Sequence, residues 1–283
     1  MKLAANDVSA VKIGATDVNK VYLGSNLVWE KAGLLLDDYP NASVAYSLRK
    51  LRTAYTGSAI KVRRSSDNTE QDIGFVGNEL DTSSLLSFVG AGDGFVSKWY
   101  DQSGAGNDAL QSTASNQPLI VSSGSVILNE GNTSISFDGV DDSLVFTQIT
   151  LISVFALEDV LVSVGRGFLT NTSNSNVIGY GATSSVRRIR VNNINYEFSG
   201  LLGGNTVNSV INTGGNVSYY TNSLASSDNP RAIPSAMNFN SLMNRQGSLP
   251  ISGFLNEIIL YPSDQSSNRV AIENNINTHY TIY

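Results

Sequence analysis

Short runs that alternate apolar and polar positions recur along most of the chain. They include Ile60-Lys61-Val62-Arg63, Gly94 to Tyr100, Thr133-Ser134-Ile135-Ser136-Phe137, Ser143-Leu144-Val145-Phe146 and Ile152 to Ala156. Val186 to Val191, Asn216-Val217-Ser218-Tyr219-Tyr220 and Gly253 to Tyr261 continue the series. Alternation puts every second side chain on one face of a strand. Gly, Asn and Asp between the runs supply turns, as at Asp138-Gly139. Many short strands with such turns predict an all-β fold, a sandwich or jelly roll. Helical spacing occurs in three places. Val44, Leu48 and Leu51 predict a short helix capped by Asn41 or Ser43, Thr82–Val89 a second, and Ser263 to Ile276 a terminal helix.

The first residues carry an internal repeat. Asp7-Val8-x-x-Val11-x-Ile13-Gly14 is followed by Asp17-Val18-x-x-Val21-x-Leu23-Gly24, and Leu27-Val28-Trp29 reads as a further strand. Residues 1–31 are too few to bury a core of their own. Two organisations follow: a small β docking module whose contacts are Val11, Ile13, Val21, Leu23 and Trp29, or the first strands of one continuous domain. The division adopted is 1–31 as docking module and 32–283 as the main sandwich.

Composition narrows the chemistry. The 283 residues carry 15% charged side chains and a net charge of −6, which argues against binding a phosphate backbone. No nucleic-acid partner is expected. No cysteine is present, which excludes disulfides, thiolate metal sites and cysteine nucleophiles. The one histidine, His279, reads as a surface residue, and no G-x-S-x-G motif accompanies it. No apolar run approaches a membrane span and no secretory leader is expected at the N-terminus.

The densest polar stretch is Arg63-Arg64-Ser65-Ser66-Asp67-Asn68-Thr69-Glu70-Gln71-Asp72 with Lys98-Trp99-Tyr100-Asp101-Gln102-Ser103-Gly104-Ala105-Gly106-Asn107-Asp108. Carboxylates and amides here could bind sugar hydroxyls, with Trp99 or Tyr100 stacking on the ring. The candidate ligand set is Trp99, Tyr100, Asp101, Gln102, Asn107, Asp108, Arg64 and Asp67. The competing and favoured reading is a framework loop whose Asp and Asn side chains bond backbone amides in sharp turns. Calcium candidates are Asp101, Asn107 and Asp108, or Asp67, Glu70 and Asp72; neither set has EF-hand spacing, so no cofactor is expected.

These residues resemble known families. Ser134-Ile135-Ser136-Phe137-Asp138-Gly139-Val140-Asp141-Asp142, Asn216 to Asn222 and Gly253 to Tyr261 are similar to the strands of concanavalin A-like (laminin G-like) sandwiches. Asp38-Tyr39, Ala42 to Leu51, Arg63 to Asn68 and above all Tyr100-Asp101-Gln102-Ser103-Gly104-Ala105-Gly106-Asn107 resemble the catalytic-domain framework of fungal α-L-arabinofuranosidase B, glycoside hydrolase family 54. The resemblance implies a two-carboxylate glycosidase. Where that family carries its acids, this chain reads Asn176-Val177-Ile178-Gly179-Tyr180-Gly181 and Leu242-Met243-Asn244-Arg245-Gln246-Gly247, with none.

The N-terminal repeat and Tyr261-Pro262-Ser263-Asp264-Gln265-Ser266-Ser267-Asn268-Arg269 resemble segments of tailed-bacteriophage structural proteins. That resemblance implies a virion-surface protein, of tail-fibre or capsid-decoration type, assembled in the bacterial cytoplasm. It would dock to other virion proteins through residues 1–31, bind host cell-surface polysaccharide through the sandwich, and form homo-oligomers of trimer type. The alternatives are an arabinofuranosidase-like hydrolase and a purely structural capsid-stabilising protein.

Overall fold

The computed structural model describes residues 33–161, 167–172, 176–181, 183, 185–233, 236–245 and 249–283, together with 2–3, 6–7, 11–13, 16–18, 20–23 and 26–30. The fold is all-β with three short helices, α1 (Leu35–Asp38), α2 (Thr82–Val89) and α3 (Arg269–Tyr280). Strands of one sheet run through Val44–Ser47, Ser252–Tyr261, Ser153–Val160, Thr206–Thr213 and Asn216–Thr221, each antiparallel to its neighbour. A second layer comprises Leu144–Leu151, Met237–Leu242, Gly167–Thr170, Val177–Tyr180, Arg187–Val191 and Ile194–Phe198.

The main core lies between these layers. Ser153–Val160 shows how the sequence builds it. Val154, Ala156 and Val160 enter that core, while Phe155 and Leu157 point the other way into a second cluster. The second cluster is closed by Leu35 and Leu36 of α1 and Ile272, Ile276 and Tyr280 of α3. A strand buried on both faces reads as a continuous apolar run rather than an alternation. Glu158, next to the half-buried Asp159, breaks that apolar run and is itself fully buried.

Two details of the sequence expectation change. Val44–Ser47 is a strand, not the start of a helix: all four residues are buried and pair with Glu257 to Leu260. Val44 and Tyr46 fill the main core while Ala45 fills the second. Burial on two opposite faces overrides the i, i+4, i+7 spacing. Helix α3 starts at Arg269, its N-cap Asn268 making no side-chain cap bond. The helix at Thr82–Val89 forms as expected, capped by Asp81, whose carboxylate accepts from Ser84 N at 2.9 Å.

In the first 32 residues the repeat forms hairpins. Val11–Ile13 pairs with Thr16–Val18, and Lys20–Leu23 with Asn26–Glu30. Ile13 and Leu23 are exposed. The side chain of Trp29 lies outside the described residues.

Candidate functional site

The loop that dominates the sequence is built as framework. Asp101 is buried, and its carboxylate accepts from Ala45 N at 2.9 Å, Ser103 N at 2.9 Å, Ser103 Oγ at 2.7 Å and Asn107 N at 3.1 Å. Gln102 is fully buried. Its Oε1 accepts from Leu51 N at 2.8 Å, and its Nε2 donates to Ser47 O at 3.0 Å and Arg49 O at 2.9 Å. Asn107 bonds the backbone of Thr147 through both side-chain atoms. Asp108 accepts from Asp101 N and Lys98 Nζ. Trp99 is fully buried against Tyr46, so neither of its faces is open to a sugar ring. Tyr100 donates its hydroxyl to Asp72 at 2.7 Å and sits under Lys98. Arg64 and Asp67 form a separate exposed two-point pair, at 2.8 and 2.6 Å. The structure thus splits the candidate set. Residues 99–108 knot the chain internally, and the Arg64–Asp67 pair stands apart from them.

What this knot positions is Arg49. Its backbone is held by Gln102, and its N–H donates to Ser47 Oγ. Its guanidinium grips Glu257 at two points, Nε to Oε2 at 2.7 Å and Nη2 to Oε1 at 2.9 Å. Glu257 is fully buried and also accepts from Ser47 Oγ at 2.7 Å and Tyr280 Oη at 3.3 Å. Burial pushes this carboxyl up, but the Arg49 charge and hydrogen bonds outweigh it and hold it below the usual carboxylate range.

Beside this pair opens a pocket of about 230 Å³. Four separate stretches line it: Leu48-Arg49, Glu79-Leu80 with Thr82, Gly131 to Thr133 and His279-Tyr280. An antiparallel bridge between Arg49 and Glu79 joins two of them. Asn132 Nδ2 donates to Tyr280 O at 3.1 Å, joining the others. Glu79 is the exposed carboxylate of the pocket, with His279 Nε2 3.5 Å from its Oε2. The His279 ring packs edge-on against Tyr280. Burial, then the Arg49 charge, lower the His279 pKa, so the imidazole is neutral at pH 7. The sequence held no signal for this pocket, because its residues come from positions as far apart as Arg49 and His279. His279, expected on the surface, is three-quarters covered there.

A second carboxylate cluster is sealed inside the sandwich. Glu158 accepts from Tyr180 Oη, 3.0 Å to each oxygen, and from Asn208 Nδ2 at 2.7 Å. Arg187 Nη2 is 3.8 Å away and donates instead to Leu202 O at 2.7 Å and Thr206 Oγ1 at 3.2 Å. Glu158 and Arg187 are both fully buried. Burial raises the Glu158 carboxyl to about 7, against the pull of Arg187.

Of the two stretches where acids were sought, Asn176 is buried. It donates to Asn238 O at 3.1 Å and accepts from Asn192 N at 3.2 Å, bonds that tie strands together. The side chains of 244–247 lie outside the described residues. Asp138, Asp141 and Asp142 bring carboxylate oxygens within 4.8 Å of one another in the turn after Ile135–Asp138. Asp138 Oδ1 takes Val140 N at 2.7 Å and Asp142 Oδ2 takes Asp138 N at 2.9 Å, so the trio shapes that turn.

The family model for the catalytic domain of α-L-arabinofuranosidase B matches residues 38–140, the span that holds the knot, Arg49 and Glu79. No curated protein matches the chain. Among solved structures, an arabinofuranosidase complexed with arabinofuranosyl-α-1,2-xylobiose is similar at TM-score 0.63 and 16% identity, over 86% of this chain and 64% of that one. A family 54 α-L-arabinofuranosidase soaked with a cyclic sulfate inhibitor gives 0.60 and 17% over the same shares. A mutant of such an enzyme soaked with 4-nitrophenyl α-L-arabinofuranoside gives 0.63 and 18%. The chain therefore spans 64% of the length of these enzymes and shares their sandwich fold. These matches correct the virion expectation. Both the family model and the solved structures of the same fold point to a glycosidase framework, and the tail-fibre, capsid and phage assignments find no support.

Proposed function

We propose that this chain is an arabinofuranosidase-like glycoside hydrolase. The observation that carries the proposal is the match of residues 38–140 to the arabinofuranosidase B catalytic-domain model, reinforced by the fold shared across 86% of the chain. The chemistry calls for two carboxyl groups flanking the glycosidic bond, about 5–5.5 Å apart for retention or 6.5–9.5 Å for inversion. Among the described residues, two glutamates are placed where a substrate could reach them. Glu79 and Glu70 each line a surface pocket.

The test is release of 4-nitrophenol from 4-nitrophenyl α-L-arabinofuranoside by the full chain. Saturable release is expected, with at least one of Glu70→Gln and Glu79→Gln lowering kcat by about 100-fold or more. Release no faster than in buffer, from protein shown to be folded, would overturn the proposal.

A further inference from the structure

Three polar side chains, Arg49, Glu79 and His279, line the pocket beside α3 with hydrogen-bonding capacity left over. The Glu79 carboxylate accepts no hydrogen bond among the described residues; the neutral His279 imidazole stands 3.5 Å from it. Arg49 commits Nε and Nη2 to Glu257, which leaves Nη1 without a hydrogen bond. Arg49 is nonetheless 93% covered, from a relative exposure of 7%. The His279 imidazole makes an edge contact to Tyr280 and no hydrogen bond. Nη1 is not among the buried polar atoms left without a partner, so it is reached from the pocket and open to a ligand oxygen.

We propose that this pocket is a binding site for one neutral sugar ring. Size, charge and hydrogen-bond type each narrow the ligand. A volume of about 230 Å³ is below the range of drug-sized pockets and suits a single ring rather than an oligosaccharide. The Arg49 charge is cancelled by Glu257, and His279 is neutral, so Glu79 leaves the pocket negative and disfavours sugar acids and phosphates. Acceptor, donor and amphoteric imidazole stand together, and hydroxyl groups, which both donate and accept, satisfy all three. A carboxylate bonded to two neighbouring hydroxyls and a guanidinium bonded to a third oxygen fix the ring's orientation. This deepens the glycosidase proposal by naming where a sugar unit sits, and its choice of probe rests on that proposal.

His279 is the only histidine in the chain, so its imidazole proton resonances report on this pocket alone. The experiment is a proton NMR titration of the full chain with L-arabinose, repeated with D-galacturonate. A saturable shift of the His279 resonances by arabinose, with none by galacturonate, is expected. Glu79→Gln, a change at an exposed side chain, should weaken the arabinose titration about tenfold or more, since a hydrogen bond to a charged group is lost. His279→Gln, followed by calorimetry, gives a second reading that does not depend on the imidazole signal, and weaker binding is expected there too. No saturable shift at tens of millimolar arabinose, or equal titrations in wild type and Glu79→Gln, would overturn the site. Arabinofuranoside hydrolysis with His279 unmoved would reject this pocket and keep the hydrolase; a shift without hydrolysis would keep the pocket and reject the hydrolase.

Discussion

Among the described residues, two Glu–Arg pairs lie in the interior and behave oppositely. Glu257 and Arg49 meet through two bonds of 2.7 and 2.9 Å, and the carboxyl is held below its ordinary range. Glu158 and Arg187 stand 3.8 Å apart, and the carboxyl is raised to about 7. Burial penalises both charges alike; what differs is where the arginine spends its donors. Arg49 gives two to the carboxylate, whereas Arg187 Nη2 donates to Leu202 O and Thr206 Oγ1, and the Glu158 oxygens are served by a tyrosine and an amide. An ion pair in an interior repays desolvation only when its geometry is close and its remaining atoms are bonded. The first pair therefore acts as a fixed strut beside a pocket. The second is a polar network that tolerates a neutral acid.

The largest expected effect is on the strut. Glu257→Gln leaves a buried guanidinium without its counter-charge and should cost about 3–5 kcal/mol, read from urea unfolding. Glu158→Gln should cost about 1 kcal/mol or less at pH 8, because an amide still bonds the Tyr180 hydroxyl and the native site already disfavours the charge. Equal losses in the two variants would break the comparison.

The pH dependence separates the pairs further, and with opposite sign. The lowered Glu257 carboxyl contributes stability that is present above its unfolded pKa of about 4.3 and lost as pH falls through the folded value. The raised Glu158 carboxyl binds a proton more tightly in the folded state. Relative to Glu158→Gln, the wild type should gain stability as pH falls from about 8 towards 4.3, on the order of 3 kcal/mol in all. Urea midpoints of wild type and both variants across that range would check this, and a wild type that loses ground to Glu158→Gln on acidification would contradict it.

A smaller effect tests what positions the strut. Gln102→Ala removes the amide that holds Ser47 O and Arg49 O, with a cost of about 1–3 kcal/mol. Arg64→Ala, at an exposed pair, should leave the urea midpoint within experimental error.

Much of the sandwich was legible from alternation: Ile60–Arg64, Gly94–Trp99, Arg187–Val191 and Ser252–Tyr261 all form close to where the pattern placed them. Val44–Ser47 was not, because a strand buried on both faces loses its period of two and helical spacing then fits by coincidence. The framework role of Asp101 was legible from Asx turn chemistry. The pocket was not, since Arg49, Glu79, Asn132 and His279 share no local pattern and meet only after folding. Glu158 left one readable sign, an acid placed directly after the apolar run Val154 to Leu157 and followed by Asp159.

The most direct test of the glycosidase account is digestion of an arabinofuranosyl xylobiose by the full chain, with products separated by chromatography. Free arabinose and xylobiose, formed in proportion to protein and time, are predicted. An unchanged substrate after prolonged incubation with folded protein would contradict it.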